Sequence, residues 1–108
     1  MKDDKVFLQN IIECIIKIET YTKAGKEEFM KSELIQDAVI RNLEIIGEAT
    51  KKISQGIKEQ YPDIPWRQMA GLRDVLIHDY MGISLKIVWN VVQNELSQLK
   101  VKIIEIMD

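Results

Sequence analysis

The chain has little of what builds sheets, disulfide frameworks or membrane spans. Its 108 residues include five glycines, two prolines and one cysteine, and only 6% are aromatic. With so few turn formers and aromatics, long helices are a better fit than β-structure. One cysteine excludes an internal disulfide, and Cys14, set among isoleucines, reads as a small buried hydrophobe. No apolar run approaches the roughly 20 residues that span a bilayer, so no membrane segment is expected. The start, Met1-Lys-Asp-Asp-Lys, is charged and runs straight into a helical pattern, unlike a secretory leader. A cytoplasmic location is the expectation. No His/Cys cluster or carboxylate pattern suggests a metal site, and no Gly-rich loop suggests that this chain binds ATP itself. Positive charge is not in excess either, with 15 Lys and Arg against 17 Asp and Glu and a net charge of -2. Nucleic acid would therefore have to be held by a local basic cluster, or by a patch built across a dimer interface, rather than by bulk charge.

What is present is an ordinary globular composition, 46% hydrophobic and 30% charged, in a length that suits one domain over residues 1–108. Apolar spacing predicts a first helix from Asp4 to Lys23, carried by Phe7, Ile11, Ile15 and Ile18 and widened by Leu8, Ile12 and Ile16. Thr22 to Glu27, with Gly25, is a break. Ser32 caps a second helix from Glu33 to Ser54, striped by Ile35, Val39, Ile46, Ala49 and Ile53, with Asn42 intruding on the inner face. Gln55 to Pro65 is a connection with at most a short helical turn. Pro65 fits the first turn of a third helix, Trp66 to His78, that ends near Gly82. Ser84 caps a last helix, Leu85 to Met107, with Leu85, Val88, Val92, Leu96, Leu99 and Ile103 on one face and Trp89 and Ile106 beside them. The expected fold is all-α, an antiparallel bundle of four to five helices. Stripes this broad make a helix-mediated homodimer a further expectation.

The informative stretch is Trp66-Arg-Gln-Met-Ala-Gly-Leu-Arg-Asp-Val-Leu-Ile-His-Asp-Tyr80, which holds the only histidine and two of the three arginines. Asp74 and His78, four apart, share a helix face. Arg73 and His78, five apart, differ by about 140° around the axis and can meet only across a groove flanking the helix. The groups suit metal-free cleavage of RNA. An imidazole takes a proton from a ribose 2′-hydroxyl or gives one to the leaving oxygen. A guanidinium grips phosphate oxygens and stabilises charge in the transition state. Asp74 can orient His78, and Tyr80 can bond a phosphate, stack on a base or accept a modification. The same spacing also fits a solvated Arg–Asp pair and a histidine serving a helix C-terminus.

Arg73, four residues, then His78, with a polar residue directly after the arginine, resembles the signature of the HEPN superfamily. The extension to Arg-x4-His-x-Tyr, ending at Tyr80, resembles its HepT branch. Arg41-Asn-Leu-Glu-Ile-Ile-Gly-Glu-Ala49 is similar to that branch's middle helix, and Trp66 and Val88-Trp89 agree with it. The similarity runs from about residue 5 to residue 100. It implies a helical bundle of HEPN type that dimerises, with both subunits' Arg–His motifs lining a shared cleft. It implies a metal-independent ribonuclease toxin of a type VII-like toxin–antitoxin system, encoded beside an MntA-like minimal nucleotidyltransferase antitoxin. On this reading Arg73 and His78 are catalytic, and the antitoxin uses ATP to transfer AMP to Tyr80. Added phosphate and adenosine would fill the cleft and repel the RNA phosphate.

Outside the motif, Arg41, Lys51, Lys52, Lys58 and Arg67 are candidates for an RNA-binding rim or for solvated helix faces. Lys51, Lys52 and Arg67 are the RNA contacts we select from them. Glu48 faces the cleft or serves structure, with Gly47 beside it for close helix packing. Trp66 and Trp89 read as core rather than base-stacking platforms. A different class stays open beside the enzyme, a non-catalytic helical partner that binds a minimal nucleotidyltransferase. A plain dimerisation module is the third.

Overall fold

The computed structural model describes residues 2–78 and 84–108, and the side chains of residues 3–72 and 84–108. Among the described residues seven helices follow in order: α1 Lys2–Tyr21, α2 Lys26–Lys31, α3 Glu33–Lys52, α4 Gln55–Gln60, α5 Trp66–His78, α6 Leu85–Asn94 and α7 Leu96–Met107. No strand occurs among the described residues, and no described helix is long and apolar enough to cross a membrane. The expected all-α bundle is observed, with two short helices added and the last helix divided.

Helix α1 buries Leu8, Ile11, Ile12, Ile15 and Ile18. Ile16, expected to widen that face, is instead 47% exposed. Ile12 is the edge of the buried stripe on that side, and Ile16, about 40° beyond it, turns outward. Cys14 is buried as expected, and burial pushes its thiol pKa up. At the helix end the hydroxyl of Thr22 donates to the Ile18 carbonyl (2.8 Å), and Gly25 reverses the chain at φ 96°. A side chain at that φ is strained, which is why glycine stands there.

Helix α2 is absent from the sequence-based expectation, because six residues are too few to show a period. It places Phe29 in the core at 1% exposure. Gln36 closes its far end by donating to the carbonyls of Phe29 (2.9 Å) and Met30 (3.2 Å). Ser32 then caps α3 as expected, accepting from the Ile35 amide at 3.2 Å. Two polar side chains lie buried on α3, and each is satisfied within the helix. Asn42 donates to the Ala38 carbonyl (2.8 Å) and Thr50 to the Ile46 carbonyl (2.7 Å).

The connection expected at 55–65 contains the six-residue α4, capped by Ser54. Pro65 stands immediately before α5, and its carbonyl accepts the Met69 amide at 3.0 Å. The helix expected at 85–107 divides at Glu95, whose backbone stays in the right-handed region at φ -116°, ψ -37°. Hydrogen bonds from Glu95 to Val91 and from Leu99 to Glu95 carry across the joint. With no proline or glycine there, periodicity cannot reveal the division.

Helix α3 packs against both α1 and α5, α7 lies against α1, and α2 bridges α3 and α6. The rings of Phe29 and Trp89 meet at 5.3 Å between centroids. Trp66 is core, as read from the sequence, and its indole donates to the Tyr61 carbonyl at 3.0 Å. Lys100 of α7 donates to Glu19 of α1 at 2.6 Å. Each fully buried aliphatic side chain in this core contributes roughly 1.5–3 kcal/mol.

Among the described residues, one charged group lies inside. Asp4 is 3% exposed, and its carboxylate accepts from the Ser54 amide (2.8 Å) and hydroxyl (2.7 Å). The start of α1 is thereby fastened to the end of α3, fifty residues on, so the two helices run antiparallel. The amide bond first, then the hydroxyl bond, hold the Asp4 pKa below its ordinary 3.8 against the opposing effect of burial. Because the folded pKa is the lower one, Asp4 stabilises fully above the unfolded value and loses that contribution as pH falls through the folded one. Asp4→Ala should lower unfolding free energy by about 2 kcal/mol near neutral pH, since it strands the Ser54 donors. The gap between denaturant melts of the two proteins should narrow as pH falls below the ordinary carboxylate value of 3.8. A difference that does not change with pH would show that the carboxylate charge is not what holds the joint.

Candidate functional site on helix α5

Arg73, Asp74 and His78 lie on a helix that packs against α3. Ile64, Trp66 and Met69 are buried where α5 begins, and Leu72 packs against the core one turn later. From that anchored start the backbone continues as unbroken helix through Arg73, Asp74 and His78. The side chains of residues 73–78 lie outside the described ones, and Tyr80 lies outside the described residues altogether. The backbone alone sets part of the geometry. Asp74 and His78 are one turn apart, about 6 Å along the axis. Arg73 and His78 are about 7.5 Å apart along it and about 140° around it.

The basic candidates are not gathered into one rim. Lys51 and Lys52 are exposed at the end of α3, and the Lys52 ammonium stands 5.6 Å from the centre of the Phe7 ring, toward α1. Arg41 pairs with Glu44 on its own helix at 3.5 Å. Arg67 is exposed in the first turn of α5, and Lys58 is half-buried on α4. Glu48 is half-buried and lines a hollow of about 90 Å³ with Phe7, Asn10 and Lys52, between α3 and α1. Gly47 beside it is buried.

Two larger concavities flank α5. An open groove of about 770 Å³ runs between α4 and the start of α5, with Lys58, Pro62, Asp63, Pro65 and Arg67 among its walls. A smaller apolar cavity of about 210 Å³ lies between α3, α5 and the α6–α7 joint, lined by Ile46, Met69, Leu72 and Leu96, with Glu95 beside it. Sequence reasoning missed the groove. Its only signal was the pair of prolines, which turn the chain so that α4 and α5 face each other across it.

Comparison with known proteins gives a consistent result. The sequence model of the ribonuclease HepT-like family matches residues 11–106. A protein of Thermococcus cleftensis named "Probable ribonuclease HepT" is 43% identical over 102 residues, which are 94% of this chain and 93% of that one. A "Putative RNase" of Caldanaerobacter subterraneus is 36% identical over 108 residues, 99% of this chain and 96% of that one. A protein of Methanocaldococcus jannaschii named "Gamma-glutamylcyclotransferase and putative RNase" is 45% identical over 108 residues. That alignment takes in 99% of this chain and 49% of the relative, so the chain spans about half of that protein's length. No solved structure gives a significant match. With the match extending over nearly all of the helical bundle, the chain belongs to the ribonuclease HepT-like family.

Proposed function

We propose that this chain is a metal-independent endoribonuclease and the toxin half of a toxin–antitoxin pair. The observation that carries this reading is the Arg73-x4-His78-x-Tyr80 sequence, whose Arg73 and His78 stand on helix α5, in a member of the ribonuclease HepT-like family. The names of the relatives agree with it.

The chemistry needs few groups. Neutral His78 removes the proton of a ribose 2′-hydroxyl, whose oxygen attacks the adjacent phosphorus. The bond to the 5′-oxygen breaks as that oxygen takes a proton, which leaves a 2′,3′-cyclic phosphate. Arg73 neutralises the charge that accumulates on the phosphoryl oxygens. Asp74, one turn before His78, orients the imidazole. Lys51, Lys52 and Arg67 hold RNA phosphates away from the reacting centre.

The working unit is a homodimer with the two α5 motifs facing a common cleft. Exposed aliphatic side chains on three helices support it, Leu34 at 80%, Ile87 at 66% and Val101 at 54%. A spacing of about 140° between Arg73 and His78 supports it too, since a second subunit can supply the opposite wall. Control rests on Tyr80. A partner nucleotidyltransferase of MntA type, using ATP, transfers AMP to the phenol oxygen and releases pyrophosphate. The new phosphate occupies the place of the RNA phosphate. This chain needs no cofactor of its own and works in the cytoplasm.

Expression of the wild-type chain should arrest growth. Purified protein should cut RNA in the presence of a chelator, and His78→Ala should cut about 10²–10⁴-fold more slowly while keeping its helical signal. Equal cutting by His78→Ala would remove histidine from the mechanism. A dimer that binds the nucleotidyltransferase tightly but cuts no RNA would favour the non-catalytic partner instead.

Incubation with the nucleotidyltransferase and ATP should raise the intact mass by one or more AMP groups and abolish cutting. Tyr80→Phe should take up none. A gain that persists in Tyr80→Phe would place the modification elsewhere.

A further inference from the structure

We propose that the groove between α4 and the start of α5 holds the substrate RNA strand several nucleotides away from the bond that is cut. This placement rests on the ribonuclease reading and adds to it the path of the strand.

Charge is the first reason. Lys58 and Arg67 both line the groove, and neither has an acidic partner among the described residues. Asp63 is the one acid on the described walls, and its carboxylate is already met by Lys102 at 3.9 Å, whose ammonium also donates to the Asp63 carbonyl at 3.3 Å. The groove therefore presents positive charge on a chain whose net charge is -2. That is the local cluster an acidic protein needs if it is to hold phosphates.

The floor is the second reason. Pro62 and Pro65 add rigid apolar surface to the same lining as the cations, together with the side-chain amides of Gln55 and Gln68. Flat apolar surface beside paired cations suits a nucleotide, with base and ribose against the floor and phosphates toward the charges.

Helical phase is the third and joins the groove to the chemistry. Arg67 and His78 are eleven residues apart on one continuous helix. At about 100° and 1.5 Å per residue, their positions differ by about 20° around the axis and about 16.5 Å along it. Position 71 lies on the same stripe, and a side chain built at Gly71 would meet nothing within 4 Å. A strand seated on Arg67 reaches His78 along one face without crossing the helix. At about 3.4 Å per stacked nucleotide, that length corresponds to about five nucleotides. Lys52 has no such relation, because its ammonium lies over Phe7 on the α1 side.

The test uses the full chain carrying His78→Ala, with a labelled mixed-sequence single-stranded RNA of about twelve nucleotides. Affinity is read by fluorescence anisotropy across a range of salt. Adding Lys58→Gln with Arg67→Gln should weaken binding about tenfold or more at low salt and flatten the salt dependence by about 1.4, or about 0.7 for each phosphate that is no longer neutralised. Lys23→Gln with Lys26→Gln removes the same charge near α2 and should leave the slope unchanged. An RNA of about three nucleotides is too short to reach both ends of the stripe and should lose its sensitivity to the groove pair. Unchanged affinity and slope in the groove pair, or an equal loss in the control pair, would overturn the placement even if the wild-type chain cuts RNA. Groove-dependent binding by a wild-type chain that cuts nothing would support the placement and refute the ribonuclease reading. Loss of binding to the nucleotidyltransferase, with RNA binding intact, would assign the groove to a protein and overturn it as well.

Discussion

Helix α3 must bury two flanks at once, and the rest of the bundle follows from how that is achieved. Val39, Leu43 and Ile46 are fully buried along it, with α1 packed on it from one direction and α5 from another. Apolar burial of this kind is strong but says little about register, because neighbouring aliphatic side chains are nearly interchangeable. Register comes from Asp4. Its carboxylate holds the amide and hydroxyl of Ser54, and the same hydroxyl oxygen accepts the Ile57 amide that opens α4. One buried charge thereby fixes where α1 starts, where α3 stops and where the chain leaves for α5.

That joint matters for function because the chain passes from it to α5, which packs against α3 and is fixed further by the turns at its start. The Tyr61 carbonyl receives the Trp66 indole, the Pro65 carbonyl receives the Met69 amide, and Ile64 and Trp66 close the core beneath them. A helix held in this way can carry polar, reactive residues. Positions 67, on the groove wall, and 78, in the motif, then fall on one stripe of that helix, about 20° apart. Rigid positioning of a few charged groups is what phosphate chemistry without a metal demands.

Much of the architecture is legible in the sequence because helical periodicity is a local property. The stripes of α1, α3 and the last helix, the caps at Ser32 and Ser84, and the inward Asn42 all follow from spacing within one turn or two. The misses have a common cause. Helix α2 and the six-residue α4 are too short for a stripe, and their burial depends on distant partners such as Trp89 for Phe29. Ile16 faces outward because of which side of α1 the neighbours occupy, which no single helix encodes. The Asp4–Ser54 bond joins residues fifty apart, and nothing in either local stretch announces it.

The site is legible in a different way. Arg73, His78 and Tyr80 stand out by residue type and by resemblance, and the helix that bears the first two is continuous. Lys58 gains meaning only once folding sets it across a groove from Arg67. The central claim, that this chain cuts RNA through the ribose 2′-hydroxyl without a metal, is tested most directly by the ends of its products. Mass analysis of RNA cut in chelator should find 2′,3′-cyclic phosphate at the new 3′ ends, and a 2′-deoxy nucleotide at the cut position should block cleavage there. Products ending in a 3′-hydroxyl, or cleavage that persists at the 2′-deoxy position, would contradict the account.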